Sequence, residues 1–104
     1  MELEFQDKKL EKQCQNIKDL NRKYGNVQAK IIVNRLNQLQ AAESLCDVSK
    51  LPQARLHGLS GDRQGQFAVD VQHPKRLIIV PLNGDFKDLK TVTKIKIIEI
   101  IDYH

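Results

Sequence analysis

Three histidines are the residues with which this chain could move protons near neutral pH, because an unperturbed imidazole titrates near pH 6.5. His57 lies in Arg55-Leu56-His57-Gly58-Leu59, on the expected strand face of Arg55, and His73 precedes Pro74 in a turn. His104 follows directly on Asp102-Tyr103. The other reading is structural, since a lone strand or terminal histidine is often a satisfied or merely exposed side chain. A metal site is disfavoured, because neither a carboxylate pair nor a cysteine pair accompanies the histidines.

The second group is basic: Arg55, Arg63, Lys75 and Arg76 lie near turns or strands that must be neighbours. Each alone fits a solvated surface. Arg76 is different, because it opens the apolar strand Arg76-Leu77-Ile78-Ile79-Val80, where an arginine usually has an anion or carboxylate to meet. Other chemistries are missing: there is no Gly-rich phosphate loop, no protease order of nucleophile and base, and no acid cluster of the two-metal nuclease type. Phe5, Phe67, Phe86, Tyr24 and Tyr103 are too few for the stacking platform of a single-strand binder.

The elements that must position these groups follow from periodicity. Residues 1–5 alternate, with Leu3 and Phe5 on one face, and read as a short strand. Asp7 is placed to cap a helix whose apolar face is Leu10, Cys14, Ile17, Leu20 and Tyr24, with Gly25 as its stop. Asn26 is expected to cap a second helix along Ala29, Ile32, Leu36 and Leu39, fading through 42–46, and the short link makes the two helices antiparallel neighbours. After the breaker 49–52 the period changes to two. Strands are expected over 54–59, 66–71, 76–80 and 91–101, separated by the turn 60–65, His73-Pro74 and the loop 83–85. The strand 76–80 is dense enough to be central. In the last strand the alternation slips between Ile97 and Ile98, which predicts a bulge or burial on both faces. The order predicts an α+β fold: a short N-terminal strand, an antiparallel helical hairpin, then a four-stranded, mostly antiparallel sheet, all in one domain over 1–104.

With 104 residues, 40% of them hydrophobic and 29% charged, the chain is long and apolar enough for one core. Its formal charge of +4 leans mildly toward an anionic partner. Met1-Glu2-Leu3-Glu4-Phe5 lacks the features of a signal peptide, and no apolar run approaches the roughly twenty residues of a membrane span, so a cytoplasmic protein with no membrane partner is expected. Cys14 and Cys46 would then stay reduced, and their spacing suits neither a metal clip nor a redox pair. Residue types and spacing alone stop at a basic α+β domain.

The stretch from Arg55 to Asp70, with its histidine strand and Ser60-Gly61-Asp62-Arg63 turn, resembles the HigB group of RelE-like bacterial toxins. The continuation His73-Pro74-Lys75-Arg76-Leu77-Ile78-Ile79-Val80 is similar to that family's arginine strand, and Asp102-Tyr103-His104 to its characteristic terminus. The likeness covers the whole chain, in pattern alone before Arg55. It implies a RelE-like, microbial-RNase-like fold and ribosome-dependent cleavage of messenger RNA. In that reaction a ribose 2′-hydroxyl attacks the adjacent phosphorus and leaves a cyclic phosphate, with neither metal nor cofactor. The implied roles are an acid–base pair of His57 and His104, and Asp102 as the residue that orients one of them. Tyr103 would stack on a base or assist proton transfer, and Arg76 would clamp the phosphate. Arg55, Arg63 and Lys75 would bind RNA, Arg63 also backing up Arg76. Ser60 stands where many relatives carry a basic residue, Gly58 replaces a frequent proline or acid, and Lys75 is often aromatic elsewhere.

The resemblance also implies partners: a HigA-like helix-turn-helix antitoxin, the ribosome with messenger in its decoding site, and operator DNA only through the antitoxin. An α-carboxylate next to His104 would raise that imidazole's pKa and suit it to the acid role. Two rival functions share the fold. One is a ParE-like gyrase inhibitor, whose relatives generally lack the histidine pair, and the other is a non-catalytic ribosome or RNA binder.

Overall fold

The alternation of Glu2 and Glu4 with Leu3 and Phe5 forms strand β1 (Glu2–Phe5) in the computed structural model, which describes residues 1–102. Asp7 caps helix α1 (Lys8–Gln15) by accepting a hydrogen bond from the Leu10 N–H at 2.8 Å. The expected single helix over this region is divided. Asn16 leaves helical geometry and caps helix α2 (Ile17–Tyr24), its Oδ1 accepting from the Lys18 N–H at 3.0 Å. The physical reason is local: an asparagine side chain bonds nearby backbone as readily as the helix does, so it breaks a helix and starts another. The new direction buries Cys14 and Leu20 while leaving Ile17 half exposed.

Gly25, at φ +82, ends α2 and also heads helix α3 (Asn26–Ala41). Asn26 is therefore inside α3, and no side chain caps that end. With α2, α3 makes the helical hairpin, burying Ala29, Ile32, Leu36 and Leu39. The expected fading tail is instead a further short helix, α4 (Leu45–Ser49), whose Leu45 and Val48 are buried and whose Leu45 N–H bonds the Val92 carbonyl.

The second half supplies strands β2 (His57–Gly58), β3 (Phe67–Asp70), β4 (Lys75–Pro81) and β5 (Lys94–Asp102). The expected strand 54–59 shrinks to two paired residues, because Arg55 takes a left-handed φ of +42 that no regular strand accommodates. The sheet order is β1-β5-β4-β3-β2, antiparallel except for the parallel pairing of β1 with β5. β4 is the central strand, as its density of branched residues predicts.

The slip in β5 is a bulge. Ile78 faces Glu99 while Ile79 faces Ile97, so Ile98 is the extra residue. The helices cover one face of the sheet, where Phe67, Val69, Leu77, Ile79, Ile95 and Ile97 pack with Leu20, Ile32 and Leu39. Burying each such side chain contributes about 1.5–3 kcal/mol.

Candidate functional site

Alternate residues of the same strands form the other face. On β4 these are Arg76, Ile78 and Val80, because Leu77 and Ile79 point to the core. Register places Asp70 beside Arg76, Ala68 beside Ile78, and His57 beside Ala68. Ala68 and Ile78 are fully buried although they stand outside the main core cluster, so the longer side chains around them screen this face from solvent. His57 and Arg76 are separated by two strand spacings and one diagonal step, a Cα distance of about 12 Å from sheet geometry. An imidazole and a guanidinium reaching inward from such positions can take one phosphodiester between them.

The imidazole of His57 is oriented. Its Nδ1 lies 2.8 Å from the Arg55 carbonyl oxygen, which can only accept, so Nδ1 carries the hydrogen and Nε2 keeps its lone pair in the neutral ring. The left-handed turn at Arg55 is what brings that carbonyl back over the ring. Arg76 is held through its Nε, 3.0 Å from Asp70 Oδ1, while Arg55 Nη1 lies 3.4 Å from Asp70 Oδ2. The Arg76 approach is an ion pair off the N–H axis, and Asp70 Oδ1, though buried, receives no aligned hydrogen bond.

Asp70 is in turn fixed through its backbone. Its N–H donates to the Ala54 carbonyl at 2.7 Å, and its carbonyl accepts from Arg35 Nε at 2.7 Å. Arg35 is buried on α3 and also donates from Nη2 to the Gln53 carbonyl at 3.2 Å. Burial depresses its pKa, and the Asp70 carboxylate opposes that fall. A chain of contacts thus runs from α3 through Asp70 to Arg55 and Arg76. Sequence reasoning missed both anchors. Arg35 sits between Ile32 and Leu36 on the buried stripe of α3, and that position was its one visible signal.

The other expected site residues are dispersed. Lys75 alternates with Arg76 and so points to the helix side, where it pairs with Asp102 and lies 5.7 Å over the Tyr24 ring. Asp102 therefore stands on the face opposite Arg76. Burial, with Cys14 and Asp102 nearby, raises the Tyr24 pKa. Arg63, from the 3-10 turn Gly61–Arg63, pairs with Glu99 at 2.5 Å and donates to Gln66 Oε1 at 2.9 Å, and Glu99 stands beside Ile78 on the same open face. Tyr103 and His104 lie outside the described residues.

Lys9, Lys12, Arg22 and Lys23, with Gln13 and with Asp19 that pairs with Arg22, line a groove of about 500 Å³ between α1 and α2. Among the described residues, no three histidine, cysteine or acidic side chains gather closely enough to hold a metal ion, and no helix is long and apolar enough to cross a membrane. No family model matches the chain, and no curated protein matches it.

Proposed function

We propose that this chain is the toxin of a type II toxin–antitoxin system, an endoribonuclease that cuts messenger RNA on the ribosome. The observation that carries the reading is the pair on the open face: His57 with its Nε2 lone pair and, two strand spacings and a diagonal step away, Arg76 braced by Asp70. Attack by a ribose 2′-hydroxyl on its own 3′-phosphate needs a base on that hydroxyl, a cation on the phosphate and an acid on the departing 5′-oxygen. His57 Nε2 serves as the base and the Arg76 guanidinium as the cation. The 2′-oxygen–phosphorus bond forms as the phosphorus–5′-oxygen bond breaks, and no step calls on a metal or cofactor. The HigB resemblance implies His104 as the other member of the acid–base pair, which leaves it the acid role, with Tyr103 stacking on a base or assisting proton transfer. β5 reaches the Arg76 end of the sheet, Ile101 standing opposite Arg76. Asp102, paired with Lys75 on the face opposite Arg76, would not touch the phosphate.

The basic groove of α1 and α2 supplies a surface for the phosphates of ribosomal RNA. The same reading makes the protein cytoplasmic and pairs it with a HigA-like helix-turn-helix antitoxin, through which alone it would meet operator DNA. The test is expression with and without the neighbouring antitoxin gene, followed by mapping of messenger 5′ ends in a translating extract. Growth arrest within about one generation, relieved by the antitoxin, and new 5′ ends that require ribosomes are expected. Normal growth with soluble protein, and messages left intact on ribosomes, would overturn the proposal.

A further inference from the structure

Beyond the Arg76 row, the open face holds a cleft of about 390 Å³ at the other end of β4. Val80 and Ile98 give it apolar walls, Arg63, Gln66, Lys96 and Glu99 give it polar ones, and Gln6 adds an amide from the β1 side. The bulge makes this lining: a regular strand sends consecutive side chains to opposite faces, yet Ile98 and Glu99 both reach the cleft. Arg63 organises the polar side. Its Nη2 holds Glu99 Oε1 at 2.5 Å and its Nη1 holds Gln66 Oε1 at 2.9 Å, which leaves the Gln66 amide N–H groups as donors and the second Glu99 oxygen as an acceptor. Lys96, in register with Val80, adds a cation.

We propose that this cleft is a subsite for one nucleotide of single-stranded RNA, with a preference for bases that carry an exocyclic amino group. It rests on the RNA-cleaving reading and adds a place where base identity is read. The base lies against Val80 and Ile98, its amino group donates to Glu99, a ring nitrogen or carbonyl accepts from Gln66, and Lys96 meets the phosphate. Adenine, cytosine and guanine each offer an amino group on an edge exposed in single strands, whereas uracil's one edge donor, N3–H, is flanked on both sides by carbonyl oxygens that a carboxylate repels. Val80 stands four residues from Arg76, about 13 Å along the strand. The subsite therefore holds a nucleotide flanking the scissile phosphate rather than that phosphate itself.

Titration of the full-length, isotope-labelled chain with AMP, CMP, GMP and UMP, followed through backbone amide shifts, tests this without any cleavage. Shifts at Gln66, Lys96 and Glu99 are expected, with UMP weaker than the others by about tenfold or more, the worth of one charge-assisted hydrogen bond. Glu99→Gln should erase the difference, because an amide can donate as well as accept, while Lys96→Ala should weaken all four nucleotides alike. Should Glu99→Gln lose its dispersed spectrum, Gln66→Ala is the second variant, expected to weaken base discrimination and spare the Lys96 effect. No shifts around the cleft, or equal binding of the four in the wild type, would overturn the subsite. The two readings fail separately. A chain that cleaves ribosome-bound message without responding at the cleft loses only the subsite. A chain that binds nucleotides there but leaves message intact loses only the ribonuclease reading.

Discussion

The two faces of the sheet are made by the same strands and are held by different forces. On the helix side, Phe67, Val69, Leu77, Ile79, Ile95 and Ile97 interlock with helix residues and have almost no exposure. On the open side the intervening positions are His57, Asp70, Arg76 and Glu99, tied by ion pairs and hydrogen bonds around the buried Ala68 and Ile78. An alternation of one residue thus separates groups that hold the fold from groups that can meet an anion. Asp70 joins the two, because its backbone is fixed by Arg35 from the helix layer while its carboxylate braces Arg76.

If this division is right, substitutions on the open face should change activity with the fold intact. The largest effect is expected for Arg76→Ala and His57→Ala, each lowering cleavage of ribosome-bound message by about 10²- to 10⁴-fold. Arg76→Lys should rescue only in part, since an ammonium cannot hold two phosphate oxygens in a planar fork. Circular dichroism of the same variants should stay native. An Arg76→Ala protein that unfolds would instead make Arg76 a structural partner of Asp70 and dissolve the distinction between the faces.

The converse experiment is Ile79→Ala, one strand position away from the open face. It should cost about 2–5 kcal/mol in denaturant titrations, because the helix layer cannot collapse fully onto the cavity. Activity per folded molecule should stay near wild type, and a selective loss of activity at full stability would show that the helix side takes part in the site.

The smallest effect is a pH dependence confined to the helix side. Burial pushes the Cys14 thiol up from 9.0 to about 11. Below about pH 9 the thiol is protonated in both states and its contribution is fully present. Above that the unfolded thiol ionises first, so stability should fall as pH rises from about 9 to about 11, by at most about 1.4 kcal/mol per unit. Comparing the wild type with Cys14→Ala across this range isolates the slope from the lysines and tyrosines that titrate nearby. Identical slopes would place Cys14 in a more polar setting than the packed layer described, and cleavage near neutral pH should be unaffected either way.

What the sequence by itself determined about this protein was local. The cap at Asp7, the stop at Gly25, the alternation in β3, the centrality of β4 and the slip at Ile97–Ile98 all depend on residues close in the chain, whose side-chain spacing and backbone preferences act over one or two turns. His57 and Arg76 were visible as candidates for the same kind of reason, an imidazole in a strand and a guanidinium at the head of an apolar run. The break at Asn16 and the turn at Arg55 were hidden, since a periodic apolar stripe does not register a single residue that leaves the pattern. Tertiary structure alone decided which groups meet. The pairing of Asp70 with Arg76, the burial of Arg35 under the Asp70 carbonyl and the pairing of Arg63 with Glu99 depend on strand register and helix docking. A one-residue change of register would send each of those strand side chains to the opposite face, as the contrast between neighbouring Lys75 and Arg76 illustrates. Contacts such as Arg35 with Asp70 and Arg63 with Glu99, tens of positions apart, are fixed by the packing of the whole domain, and spacing along the chain carries no record of them.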